Sequence, residues 1–272
     1  MVGEKQLRRI VIGDGPALVL LHGFAMQPRT YLPLARLLAD RVKVVIPAIF
    51  DCPGGWSFSR ILDRVEAMLD EEGLEKVSLL GHSFGGGIEL GFAARHPERV
   101  VECVFADTLA VRERFSLAEE ALRHPLGLLN MATPPAAAAF FQSVFTHPLQ
   151  LAEAGLWGFV TDRTVDMEHV VAAHIPCHVL WANRDTLLCR SDGEEFAYSL
   201  GATFTVAADP VVDHDWMFDD PDLFAEHLEA LNLKVLSQGP PSRRGGPKRG
   251  TTPPLARRGS PLAGGSAARQ HQ

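Results

Sequence analysis

Several large protein classes are excluded by what this sequence does not contain. No apolar run approaches the roughly 18–20 residues needed to cross a bilayer, so no membrane span is expected. The opening "MVGEKQLRRIVIG" alternates charge with short apolar pieces and has no apolar h-region, so no secretory signal is expected either. The four cysteines (Cys52, Cys103, Cys177 and Cys189) are scattered with no CxxC pair. That spacing argues against a disulfide scaffold and for a reduced, cytoplasmic setting. No His/Cys/Asp cluster has metal-ligand spacing, and no internal repeat is visible. From Asn232 to the end there is no Asp or Glu, while eight basic residues fall there. Setting those eight aside leaves 18 of the 26 basic residues against 33 acidic ones, a formal −15 on the body. An acidic body argues against nucleic acid as a partner.

The sequence that remains has the composition of a folded protein. Hydrophobic residues make up 46% and charged residues 22% of 272 positions, enough to build a sizeable core. Short Val/Ile/Leu runs ("LRRIVI", "ALVLL", "VKVVIP", "VSLL", "VVECVFAD", "CHVLWAN", "TFTVAA") alternate with stretches of helical spacing. In "FSRILDRVEAMLDEEG" the apolar positions Ile61, Leu62, Val65, Met68 and Leu69 share one helix face, and Gly73 is the expected C-terminal cap. Nearly continuous apolar strands between helices predict an α/β fold: a mostly parallel central sheet with helices on both faces. Between the strand ending near Asp107 and the one starting at Cys177 lies a long Ala-rich helical stretch, too long for a plain crossover. We therefore expect a core of 1–110 and 174–232, a helical cap over 111–173, and a basic Gly/Pro-rich tail over 233–272. The tail has too few bulky apolar residues to offset its ordering entropy and is expected to be disordered.

Chemistry concentrates around "LLGHSFGGG", Leu79 to Gly87. Gly81-His82-Ser83-Phe84-Gly85 follows an expected strand and precedes an expected helix, the setting of a nucleophile elbow. A glycine-rich turn whose serine merely caps the helix explains the same five residues. A serine hydroxyl needs a base, and the base needs a carboxylate to hold its tautomer. "VLWANRDTLL" supplies Asp185 just past a strand, and "VVDHDWMFDDP" supplies His214 before the last helix. The order Ser, Asp, His is the one this arrangement requires. Asp107, at the end of "VVECVFAD", is the alternative acid, whereas Asp213 and Asp215 read as loop residues. In "LVLLHGFAMQP", Gly23 permits a turn that aims the Phe24 amide at the reaction centre, with the Phe84 amide as second donor. His22 is expected to brace that turn.

Together "GDGPALVLLHGF", "VSLLGHSFGGGIELGFAARHPERV", "VLWANRDTLL" and "HDWMFDDPDLFAEHL" resemble an α/β-hydrolase of the serine-esterase kind, from about Leu7 to Leu231. The resemblance implies Ser83 as nucleophile, His214 as general base and acid, Asp185 orienting it, and the Phe24 and Phe84 amides as oxyanion hole. It implies the cap as a lid, and neither a metal nor an organic cofactor. The loop "PAIFDCPGGWSFS" departs from the "D-x-x-G-x-G-x-S" pattern of many members, which leaves the pocket wall there open. A serine at the elbow points to acyl transfer to water on a small-molecule ester, with Phe140, Phe141, Phe145, Leu156, Trp157 and Phe159 as candidate apolar lining. Lactone, thioester and carbon–carbon bond hydrolysis use the same apparatus. A non-catalytic ligand-binding protein on this scaffold is the reading from a different class.

Overall fold

The computed structural model describes residues 6–52, 54–109, 134–160 and 162–238. Strands β1 (Arg9–Ile12) and β2 (Ala17–Leu21) lead to helix α1 (Leu32–Leu38), then β3 (Lys43–Pro47), α2 (Phe58–Glu71), β4 (Val77–His82), α3 (Phe84–Arg95) and β5 (Val100–Ala106). Helices α4 (Pro134–Thr146), α5 (Pro148–Val160) and α6 (Thr164–Ala172) lie in the stretch read as the cap. The chain closes with β6 (Cys177–Trp181), α7 (Arg190–Leu200), β7 (Thr203–Val206), α8 (Trp216–Asp219), α9 (Pro221–Ala230) and α10 (Lys234–Ser237). No helix of the described residues is long and apolar enough to cross a membrane.

The seven strands form one sheet in the order β1-β3-β2-β4-β5-β6-β7. Only β1 runs antiparallel, against β3; every other pair is parallel. Period-two alternation sends side chains to two separate cores. Val19, Leu21, Leu79, Phe105 and Val179 face α2, α3 and α7, while Leu18, Leu20, Leu80, Val104 and Leu180 face α1 and α9. From β2 the chain turns outward to β3, then crosses back to β4. The order therefore reverses between β2 and β4, and ligands of open α/β sheets bind in the crevice above such a reversal.

The expected helix over the second amphipathic stretch forms as α2. Ser57 caps its start by accepting the Arg60 amide at 3.3 Å. Gly73 takes φ 65° just past its end, a conformation open to glycine at little cost. The folded chain also runs past the boundary set at residue 232. Leu233, Val235 and Leu236 are buried, and the Glu102 carboxylate on β5 accepts the Lys234 and Val235 amides at 2.9 Å each. The remainder of the expected disordered tail, from 239 on, lies outside the described residues.

Glu89 is among the acidic residues buried in the fold. Glu89 on α3 is fully buried beneath the strand ends and accepts the Val104 amide at 3.0 Å. Burial pushes its carboxyl well above the ordinary value of 4.5, so it is neutral in the fold. The unfolded chain ionises near that ordinary value, so stability is full below it and is lost as pH rises above it. Glu89→Gln keeps an acceptor for Val104 and cannot ionise. Urea unfolding from pH 5 to 8 is expected to show the variant gaining on wild type by up to about 1.4 kcal/mol per pH unit. A gap that stays constant with pH would mean that the buried carboxyl is ionised.

Candidate active site

The elbow is built at the end of β4. Ser83 stands between strand and helix with φ 52° and ψ −119°, a region that side-chain-bearing residues rarely occupy. Its amide donates to Ala106 O at 3.0 Å, and its carbonyl accepts the Gly86 amide at 3.0 Å and the Leu109 amide at 3.2 Å. These bonds hold the strained residue in place. The Ser83 side chain makes no capping bond to α3. A serine retained for capping would make one, so that reading fails. Phe84 opens α3, and a first-turn amide has no acceptor within its own helix.

Opposite the elbow, β2 ends in the His22-Gly23-Phe24 turn. A Cβ on Gly23 would stand 3.5 Å from the Ser83 Cβ, so the two turns touch. Gly23 O accepts the Met26 amide at 3.2 Å and meets His22 Nδ1 at 3.1 Å. His22 Nε2 accepts the Ile49 amide at 3.3 Å, so the network assigns the ring hydrogen to Nδ1. Burial drives the His22 pKa down to about 4, which keeps the ring neutral. The Gly23–Phe24 peptide is trans, so its N–H points away from the anchored carbonyl. Two hydrogen bonds thus set the direction of the Phe24 amide.

His214 and Asp185 come together from the loops after β7 and β6. His214 Nδ1 lies 2.9 Å from Asp185 Oδ2, and both side chains are buried. Asp185 Oδ1 accepts the Leu187 and Leu188 amides at 2.8 and 2.7 Å. Burial by itself disfavours the imidazolium, but the charge and hydrogen bond of Asp185 outweigh it, helped by Asp215 and Asp107. The net result raises His214 to about 10. Asp107 does not compete for the ring. Its two oxygens accept the Ala182 amide and Trp216 Nε1, each at 2.6 Å, and burial pushes its pKa well above the ordinary carboxylate value.

Asp213 is a loop residue, as expected, and has a further task. It accepts the His214 amide at 2.8 Å and the Thr186 amide at 2.8 Å, tying the histidine loop to the acid loop. Nothing local distinguishes it from the other carboxylates of "VVDHDW". His82, His214 and Asp215 place ligand atoms within 4.8 Å of one another, a spacing a metal ion could use. Both His82 nitrogens and His214 Nδ1 are already engaged in hydrogen bonds, which leaves that group short of free donors.

The residue after Ser83 packs in an aromatic cluster. The Phe84 ring packs against Phe24, Trp56 and Trp157 at 5.6, 5.8 and 5.3 Å between centroids. Trp157 comes from α5 and stacks on Phe58 at 4.5 Å, and the buried Arg163 guanidinium lies over both rings. Of the expected lining residues, Trp157 belongs to this cluster. Phe140, Phe141, Phe145 and Leu156 are exposed instead, and the Phe159 side chain lies outside the described residues. The loop that departed from the common pattern is fastened to α5, where Glu153 accepts the Trp56 amide at 2.6 Å.

The sheet order, the elbow and the paired His and Asp loops agree with a family match. The model of the alpha/beta hydrolase family matches residues 18–227. The chain belongs to the alpha/beta hydrolase family. The chain is 30% identical over 113 residues to the cis-3-alkyl-4-alkyloxetan-2-one decarboxylase of Shewanella oneidensis, covering 38% of this chain and 36% of that protein. It is 29% identical over 119 residues to a Burkholderia fluoroacetate dehalogenase, covering 40% of this chain and 39% of that protein. The chain spans well under half the length of such curated relatives; an uncharacterised Mycobacterium tuberculosis protein is matched over 38% of its length. Among solved structures, a thermophilic esterase from Thermogutta terrifontis superposes with a TM-score of 0.68 at 20% identity, covering 85% of this chain and 94% of that one. The enol-lactonase from Burkholderia xenovorans gives 0.65 at 17% identity, covering 83% and 96%. At these identities the likeness is one of fold.

Proposed function

We propose that this hydrolase cleaves carboxylic esters by acyl transfer through Ser83, with His214 as general base and acid and Asp185 orienting it. The observation that carries the reading is the Asp185–His214 bond beside a strained serine whose hydroxyl caps nothing. His214 Nε2 takes the Ser83 proton as Oγ attacks the acyl carbon. The oxyanion formed is received by the Phe24 and Phe84 amides, each donor of this kind being worth about 3–4 kcal/mol of barrier. The ester C–O bond breaks, His214 protonates the leaving alkoxide, and an acyl-Ser83 ester remains. His214 then deprotonates a water that attacks this ester, and Ser83 leaves with the proton. The aromatic cluster of Phe24, Trp56, Phe84 and Trp157 supports a small to medium, largely apolar substrate. The four free thiols fit a reducing, cytoplasmic compartment.

The test combines covalent labelling with turnover. Wild type incubated with a fluorophosphonate is expected to gain one adduct by intact mass, and Ser83→Ala none. On p-nitrophenyl esters of increasing acyl length, Ser83→Ala is expected to lose at least about 10⁴-fold in kcat. A simple lactone assayed alongside separates ester from lactone preference. Folded wild type with neither adduct nor turnover would overturn the reading in favour of a binding protein.

A further inference from the structure

The residue before the nucleophile is buried, polar and outside the chemistry just described. The Gly23 amide donates to Tyr31 Oη at 3.0 Å, Tyr31 Oη lies 2.7 Å from His82 Nδ1, and His82 Nε2 lies 3.0 Å from the His214 carbonyl oxygen. A phenol has one hydrogen. Because Tyr31 accepts from Gly23, that hydrogen goes to His82 Nδ1, which must be bare. The ring hydrogen of His82 then sits on Nε2 and is donated to His214 O. Every donor in the chain meets an acceptor, and only the neutral Nε2–H tautomer allows this. Burial agrees, driving His82 down to about 3. The ring also packs against Tyr31, His214 and Phe218 at 5.8, 5.0 and 6.1 Å.

We infer that Tyr31 and His82 are positioning residues that hold the oxyanion turn, the nucleophile and the base in one register. The inference rests on the serine hydrolase reading above. Gly23 precedes the Phe24 amide, His82 is peptide-bonded to Ser83, and the anchored carbonyl belongs to His214 itself. A single line of three hydrogen bonds therefore joins the three parts that must meet at the reacting carbon. The two side chains act through those parts, so they govern how well the transition state is met. Misplacement by about 1 Å at such a centre costs on the order of 10²-fold in rate.

Tyr31→Phe, His82→Leu and His82→Gln are compared with wild type. The glutamine amide reaches the Nε2 position and keeps a donor for His214 O. Tyr31→Phe is expected to lower kcat about tenfold and His82→Leu about a hundredfold, with KM within twofold and fluorophosphonate labelling slowed in parallel. His82→Gln is expected to recover part of the loss. Long-range ¹⁵N spectra of wild type are expected to show His82 as the Nε2–H tautomer, unchanged from pH 5 to 9. That measurement holds even where a variant does not fold. Unchanged kcat in folded variants, a rise in KM alone, or an Nδ1–H or titrating His82 would overturn the inference. Wild type that neither labels nor turns over would instead sink the hydrolase reading, and the spectrum would still decide the hydrogen-bonded chain.

Discussion

Asp185→Asn is expected to lower kcat for ester hydrolysis by about 10⁴-fold with KM changed only a few-fold. The size follows from how the loop would orient the new amide. Two backbone N–H groups, of Leu187 and Leu188, point at Oδ1 from 2.8 and 2.7 Å and need an acceptor there. The asparagine oxygen must stay with them, which turns its NH2 toward His214 Nδ1. Nδ1 then accepts, the ring hydrogen moves to Nε2, and the base faces the serine already protonated. Asp107→Asn is the control for the alternative acid. It sets an NH2 against Trp216 Nε1, a donor facing a donor, which is expected to cost about 1–3 kcal/mol of stability. Its kcat is expected to stay within a few-fold of wild type. Steady-state kinetics beside urea melts separates the two outcomes, and a large kcat loss confined to Asp107→Asn would reverse the assignment. Removing the Asp185 charge also lowers the His214 pKa from about 10, so the acid limb of kcat/KM shifts to lower pH in whatever activity survives.

Gly85→Ala is expected to destabilise the fold by more than about 3 kcal/mol. A Cβ there would overlap the Leu21 carbonyl and stand 2.8 Å from His22 O. Neither backbone atom can retreat, because β2 is locked between β3 and β4 at the centre of the sheet. Gly73→Ala is the comparison. Nothing lies within 4 Å of its added Cβ, and its cost is the left-handed φ of 65°, about 1 kcal/mol. Urea midpoints give both values. A Gly85→Ala protein as stable as Gly73→Ala would mean that α3 can move away from β2, and the close approach would then not fix the elbow.

The architecture and the paired His214 and Asp185 were legible in the sequence because each leaves a local pattern. Apolar strands alternate with helical spacing, glycines bracket Ser83, and the acid and base each follow a strand. The Tyr31–His82 brace leaves none, since its partners lie 51 residues apart and make no periodic pattern. The exposure of Phe141 and Phe145 was equally hidden. Apolar spacing shows that a helix has an apolar face but not whether another element covers it. At the C-terminal end, the charge summary masked the short apolar run in "NLKVLS", and Glu102 that receives it sits on a strand 132 residues earlier. Backbone strain was invisible too. Ala25, Ser83 and Asp107 all take positive φ just past the ends of β2, β4 and β5, and only Ser83 was flagged by its neighbours.

The place where the helical insertion leaves the sheet has a consequence for how such a protein diversifies. Strands β5 and β6 pair directly, Cys103 beside Cys177, so the chain departs from one strand and re-enters on its neighbour. The strands run parallel, so the chain leaves β5 at Ala106 and re-enters β6 at Cys177, beside Cys103, and the ladder fixes both stems. Closing a flexible loop on fixed stems costs entropy only logarithmically in its length, about 0.6 kcal/mol for each doubling. The length of the insertion can therefore change at little entropic cost, provided its packing against Phe58, Phe84 and the Trp56 loop is kept. Residues of the insertion that pack on no strand are free to drift at a rate the strands are not.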